Sequence, residues 1–400
     1  MNICEPNWNV AIVGAGPAGS FAAHQLALRG FKTLLIEKSP WPREKVCGGC
    51  LSNVAVSALR HAGLASVLEN SAPIDRVIWH TANRSLELHA PGGAALLRSD
   101  LDSALVKAAQ RHGCTFLPAT SATLLPSSDA DDHRTLNLQN ASGTITIRAK
   151  IVLACDGIAG TLLSNEPWAA WHIDPQGWMG VSTTLSSSTA QLSPLYSLAQ
   201  RAIHMHIAPG GYVGLVQLPG FRIHLAAALD PAICKTTGGP APLVQQILNS
   251  CNRPAPDDFS QIKFRGTALL TRHRTHLGGH RVLAIGDACG YIEPFTGEGM
   301  AWAILDAREV AAMLPAPGEP WPTDMPQQWQ SQHQKIIGRR QRWCRSMKPM
   351  MHHPTLASVG ITMGRSMPAI GNYLARQICR VETELTHEPT VATRRAQSIA

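Results

Sequence analysis

The 400-residue chain is 44% hydrophobic and 16% charged, which supplies a folded core and excludes a disordered polypeptide. It contains no run of eighteen apolar residues and no signal-peptide pattern at Met1–Pro6, and its ten cysteines form no regular framework. No membrane span is expected, and the cysteines fit a reducing, cytoplasmic setting better than a disulfide-stapled one. The net charge of +8 is uneven: from Pro326 onward there are eleven Lys/Arg against three Glu, leaving 24 charges of each sign in the first 325 residues. That basic tail is either a solvated helical face or a peripheral contact for an acidic membrane surface or an acidic carrier protein. No nucleic-acid partner is expected.

A chain of this length exceeds one compact core and predicts two packed domains. Val10–Val13 reads as a buried parallel strand that runs into Gly14-Ala-Gly16-Pro17-Ala18-Gly19, with a helix over 17–29. Gly14 suits a tight turn, Gly16 a close backbone approach to pyrophosphate, and Gly19 helix-to-strand packing. The helix N-terminus with Pro17 and Ala18 faces the phosphates. A second strand, 32–36, ends in Glu37, placed to accept hydrogen bonds from ribose hydroxyls and to repel a 2′-phosphate, with Lys38 beside it.

Residues 38–50, rich in Pro and Gly, predict an ordered loop carrying Lys45, Cys47, Gly48 and Gly49. Gly48 and Gly49 permit backbone to approach a planar ring. Cys47 and Cys50 are spaced C-x-x-C, which admits loop thiols, a redox dithiol or half a zinc site; no second ligand pair completes a zinc set, and no metal is expected. Arg98 precedes a helix that Ser99 is placed to cap, with Leu101 and Leu105 facing the core. It is a candidate for pyrophosphate or a surface ion pair. Lys150–Cys155 is a further buried strand ending in Asp156-Gly157, where strand tops of an open parallel sheet meet ligand.

From about 168 to 263 the pattern alternates, as in Gly210–Pro219 and Phe221–Ala228, predicting antiparallel strands joined by a Pro-Gly turn. The segment Asp75–His89 adds strands to that sheet, so the domains interleave. A strand at 281–285 then leads into Gly286-Asp287, followed by Pro294 and the Gly297-Glu298-Gly299-Met300 helix start. Asp287 is suited to a sugar-alcohol chain, and the bare amides at Gly297 to a reduced ring's negative charge. Beyond 317 the chain reads as helical, with Met347, Met350, Met351, Met363 and Met367 forming adaptable core, a hydrophobic lid or a membrane-facing edge; His387 onward reads as a frayed tail.

Assembled, these motifs resemble the FAD flavoprotein superfamily of p-hydroxybenzoate hydroxylase, and within it the geranylgeranyl reductase-like branch. The carriers are the three glycines with Glu37, Lys45-x-Cys47-Gly48-Gly49, Arg98, Asp156-Gly157, and Gly286-Asp287 running to Gly297-Glu298-Gly299. The resemblance implies an α/β fold: a Rossmann-like FAD-binding domain (1–70, 98–167, 268–318), an antiparallel β-sheet substrate domain (71–97, 168–267) and a C-terminal helical basic segment (319–400). It implies FAD contacts at these positions and at Ala122, a catalytic role for Cys47, and substrate contacts at Tyr212, Gln217 and Pro219. It implies an FAD-dependent oxidoreductase using NAD(P)H or a partner reductase on a hydrophobic small molecule. The reaction is either O2-dependent hydroxylation of an aromatic or polyketide-like substrate, or C=C reduction of a prenyl-like one. Flavin-dependent halogenation and a non-catalytic flavin scaffold are the alternatives; the branch's aromatic motif is replaced here by Tyr212-Val-Gly-Leu-Val-Gln-Leu-Pro219, and no Trp-x-Trp-x-Ile motif occurs.

Overall fold

A computed structural model describes residues 7–186, Leu195, 200–253, Phe259, 261–293, Phe295 and 297–379. Val10, Ala11 and Ile12 are wholly buried, which requires cover on both faces, and strand Asn7–Val13 accordingly lies inside a parallel sheet. Its parallel neighbours are Thr33–Ile36 and Gly143–Ala154, with Thr115–Leu117 and Val282–Ala284 outside them. The helices Pro17–Leu28, Arg98–Arg111 and Gly299–Met313 pack together, the first between the other two. Helix Arg98–Arg111 begins earlier than the sequence suggests: Leu97 holds the cap position with no side-chain bond, so Ser99 lies inside the helix. A helical Arg98 is what lets its guanidinium reach Asp102 one turn on.

The second sheet has eight strands, in which Met179–Leu185, Arg222–Leu229, Gly211–Leu218 and Ala202–Ala208 are successive antiparallel neighbours. Strand Ala72–Thr81 pairs antiparallel with Arg84–Ala95 but parallel with Ala202–Ala208. The sheet is thus antiparallel, as expected, apart from one parallel seam. Those two strands are joined through the first domain rather than by a hairpin, and only a hairpin forces opposite directions. Two helices, Pro231–Thr236 and Pro240–Ser250, interrupt the stretch read as strands; Asp230 Oδ1 starts the first by accepting from the amides of Ala232 and Ile233 at 2.8 and 3.1 Å. Leu243, Val244 and Ile247 of the second helix bury against Val213, Leu215 and Leu225 on the sheet's outer face.

Strand Cys50–Leu51 pairs with Arg84–Ala95, tying the Cys-Gly-Gly loop to the second sheet although its sequence sits in the first domain. Short strands Trp171–Ile173, Arg272–Arg274 and Gly290–Tyr291 form a third sheet across the expected boundaries. Four C-terminal helices follow: Met325–Ile336, Gly338–His352, Pro354–Ser366 and Pro368–Cys379. Trp329 is fully buried and donates its indole N–H to Ala284 O at 2.8 Å, so the segment is packed onto the parallel sheet. Met351, Ala357, Ile361 and Leu374 share an apolar cluster with Trp79, Tyr212 and Phe295, whereas Met363 and Met367 are exposed. Among the described residues no helix is long and apolar enough to cross a membrane; the segment from His387 lies outside them.

Candidate functional site

A cavity of about 500 Å³ begins at the ends of the parallel strands, beside Gly14 and Gly16, and extends to the inner face of the second sheet at Met205, Tyr212 and Val216. Gly14 has φ +106°, and a Cβ there would lie 2.2 Å from Cys155 O, so the turn admits no side chain. Gly19 does not line the cavity but seats the helix, since its Cβ would fall 1.9 Å from Gly14 O. Pro17 and Ala18 line it at the helix N-terminus, where the first amides lack intrahelical partners.

Charge at this end is held in a chain of four side chains. Glu37, 4% exposed, accepts through Oε2 from Ala15 N at 3.2 Å and Arg43 Nε at 2.9 Å, and through Oε1 from Ser39 N at 3.0 Å. Three of its roughly four acceptor sites are thus used by protein. Burial pushes its carboxyl up, but Arg43 and the two amides outweigh that and hold it below the usual carboxylate range. Arg43 Nη1 continues to Asp102 Oδ2 at 2.8 Å, and Arg98 grips the same carboxylate at 3.2 and 2.9 Å. Burial disfavours the Arg98 cation; Asp102 overrides it and raises its pKa. The Gly16 Cβ position lies 3.4 Å from Arg98 Nη2 and 3.9 Å from Arg43 Nη2. Two guanidiniums and a helix N-terminus beside a side-chain-free turn fit a pyrophosphate. Sequence reasoning found Arg98 but missed Arg43, hidden in a Pro-rich loop, and Asp102, whose signal was its i+4 spacing from Arg98.

Lys38, Lys45 and Ala122 also line the cavity. Burial and the neighbouring Arg43 hold the Lys45 ammonium below its ordinary pKa. Farther along, Cys47 Sγ accepts from Gly49 N at 3.4 Å and lies 3.8 Å from Met300 Sδ, while Cys50 Sγ donates to Gly48 O at 3.2 Å. Both cysteines are free thiols, and burial pushes Cys50 far up. Gly48 lines the cavity with nothing within 4 Å of its Cβ position, leaving room for a flat ring. Gly49 is off the cavity, with φ +67° and its Cβ position 2.8 Å from His224. His224, another residue missed from sequence, donates from Nε2 to Cys47 O at 2.7 Å and accepts at Nδ1 from the Thr184 hydroxyl at 2.9 Å. Burial holds it below the usual imidazole pKa, which favours this neutral tautomer.

Asp287 lines the cavity, and burial pushes its carboxyl up to about 6; Arg98 opposes the shift and Asp306 adds to it. Gly286 stands behind it, its amide donating to Asp306 Oδ2 at 3.0 Å. Asp306 Oδ1 holds His333 Nδ1 at 2.9 Å, and Cys289 Sγ donates to Ala284 O at 3.0 Å. This trio has metal-like spacing, within 4.8 Å, but its hydrogen bonds make it a knot that ties the Asp287 turn to helices Gly299–Met313 and Met325–Ile336. Asp156 and Gly157 line the cavity, although Asp156 Oδ2 accepts from Leu162 N at 2.9 Å and closes its own turn; burial pushes this carboxyl up.

Gly297, Gly299 and Met300 line the cavity, Glu298 turns away to Arg340, and Pro294 lies outside the described residues. Tyr212 is in the far wall, its phenol pushed well up by burial, with Glu293 contributing. Gln217 and Pro219 do not line the cavity. With a two-residue strand repeat, Tyr212, Gly214 and Val216 share a face that excludes Gln217. Pro219 begins the turn, its carbonyl accepting from Arg222 Nε at 3.0 Å.

The family model for the FAD binding domain matches residues 7–319. The chain is 27% identical, over 78% of its length, to conditioned medium factor receptor 1 of Dictyostelium discoideum, and spans 64% of that protein. It is 27% identical, over 77% of its length, to menaquinone reductase of Mycobacterium tuberculosis, and spans 79% of that protein. A solved flavoprotein/dehydrogenase from Cytophaga hutchinsonii shares the fold at a TM-score of 0.77 and 14% identity, covering 98% of each chain. The glycine turn, the paired arginines and Asp287 fit the cofactor that this family binds, and the chain belongs to the FAD binding domain family as an FAD-dependent oxidoreductase.

Proposed function

We propose that the protein reduces a carbon–carbon double bond in a prenyl-like hydrophobic substrate, with NAD(P)H or a partner reductase as electron donor. The observation that carries this reading is the cavity's far wall, which Val77, Ile203, Met205, Tyr212, Val216 and Phe295 line without a charged side chain among them. Such a wall recognises apolar shape and offers no counter-ion to a carboxylated or phenolate substrate. The Cys-Gly-Gly loop opposite it and the menaquinone reductase relative support reduction. Bound FAD supplies two-electron transfer from donor to substrate. The chain's part is to hold substrate against the loop, exclude water with the apolar wall, and oppose developing negative charge with the amides at Gly297–Met300.

The test is anaerobic: reduced holoenzyme is mixed with a prenylated quinone, and the product is weighed by mass spectrometry. Addition of two hydrogens without oxygen supports the proposal. Turnover only in air, with one oxygen atom added, would replace it with hydroxylation.

The outer helices support a membrane source for the substrate. Helix Pro354–Ser366 exposes Leu356, Val359 and Met363, Met367 follows it exposed, helix Pro368–Cys379 exposes Tyr373, and residues 325–379 hold eight Lys/Arg and no Asp or Glu. An apolar stripe in a basic segment fits peripheral docking on an anionic bilayer. The full chain should co-sediment with phosphatidylglycerol vesicles and lose that binding in L356S/V359S/M363S. Indifference to vesicles, with capture by an acidic carrier protein, would overturn the membrane assignment.

A further inference from the structure

We propose that His224 is a positioning residue for the flavin ring, holding the Cys47 carbonyl so that the Gly48 amide N–H faces the cavity and donates to a polar edge of the bound ring. The three carbonyls of the Cys-Gly-Gly loop are all held by protein. Cys47 O accepts from His224 Nε2 at 2.7 Å, Gly48 O from Cys50 Sγ at 3.2 Å and Gly49 O from Leu96 N at 2.9 Å. Gly49 N donates to Cys47 Sγ at 3.4 Å. Among the described residues nothing accepts from Gly48 N. Gly48 is exposed and lines the cavity, with no atom within 4 Å of its Cβ position, so its N–H is open to whatever fills that space.

The direction of that N–H is set from the other side of the loop. Among the described residues only Trp41–Pro42 is cis, so the Cys47–Gly48 peptide is trans and its C=O and N–H point in opposite directions. Cys47 and Gly48 line the cavity, whereas His224 does not. A carbonyl drawn towards His224 therefore turns the amide towards the cavity. The imidazole is itself fixed: the Thr184 hydroxyl donates to Nδ1 at 2.9 Å, which leaves Nε2 as the donor. Thr184 and His224 are register partners on strands Met179–Leu185 and Arg222–Leu229, so the second sheet orients a backbone group that lies in the cofactor space.

The experiment uses no substrate and is therefore independent of the reductase reading. The affinity of the flavin-free full chain for FAD is compared with its affinity for ADP, which carries the adenosine and phosphates without the ring. His224→Leu should weaken FAD about fivefold, the size of one hydrogen bond, and leave ADP unchanged. The variant H224Q keeps a donor near the Nε2 position and should restore FAD binding. Unchanged FAD affinity in His224→Leu, an equal loss of ADP, or an H224Q variant as weak as the leucine one overturns the proposal. Should His224→Leu fail to fold, Thr184→Val frees the imidazole and is read the same way: a loss confined to FAD is expected, and unchanged or parallel affinities overturn it.

Discussion

At the Gly16 end of the cavity, polar groups are fixed by one another: Glu37 holds Arg43, Arg43 holds Asp102, and Asp102 holds Arg98. At the Tyr212 end the wall is apolar side chains on strands brought from separate parts of the chain, and shape defines the space. The first end is built for one fixed ligand, a dinucleotide phosphate. The second is tolerant, since apolar walls accept volume-conserving exchange more readily than a charge chain accepts the loss of one member.

The contrast breaks most visibly at Asp102, which is 0% exposed and is the shared counter-ion of two guanidiniums. Asp102→Ala should destabilise the flavin-free protein by about 3–5 kcal/mol, read by urea unfolding, and abolish FAD retention. Next is Gly14→Ala, whose Cβ meets the Cys155 carbonyl at a positive φ. A cost on the order of 2–3 kcal/mol and a colourless purified protein are expected.

A smaller effect comes with pH. Asp287 is pushed up to about 6 in the flavin-free chain. If the bound flavin side chain is held by the ionised carboxylate, loading displaces a proton below pH 6. Affinity should then be level above pH 6 and fall about tenfold by pH 5, and Asp287→Asn should remove that slope. Without flavin the sign reverses: the folded chain holds this proton more tightly than the unfolded one, so the group's contribution to stability declines between about pH 4 and 6. The smallest change is at the tolerant end. Tyr212→Phe should leave flavin content unchanged and alter the substrate KM by less than about fivefold, the size of one hydrogen bond of ~1 kcal/mol. Loss of flavin in that variant would show that the two ends are not separable.

The same division explains what the sequence disclosed. The Gly16 end was legible where its parts are adjacent in the chain: strand Asn7–Val13, the glycine turn, and Glu37 closing the next strand. Asp287 was legible for the same reason, as the end of a short buried strand. Arg43, Asp102, His224 and Arg340 were not, because each acts on a residue supplied by another element, and spacing carries no record of that meeting. Asp102 alone left a local trace, one helical turn from Arg98. Of the substrate contacts that the resemblance implies, Tyr212 lines the cavity and Gln217 and Pro219 do not, while alternation found the hairpin of Gly211–Leu218 and Arg222–Leu229. Alternation carried no information on the parallel seam between Ala72–Thr81 and Ala202–Ala208, which is set by chain path rather than local pattern.

A crystal structure of the FAD-loaded protein tests the division most directly. The account predicts the pyrophosphate beside Gly16 between Arg43 and Arg98, and the flavin ring between Gly48 and the Gly297–Met300 turn, with Tyr212 in the wall beyond it. A ring lodged at the Glu37 end, or phosphates bound without either arginine, would contradict it.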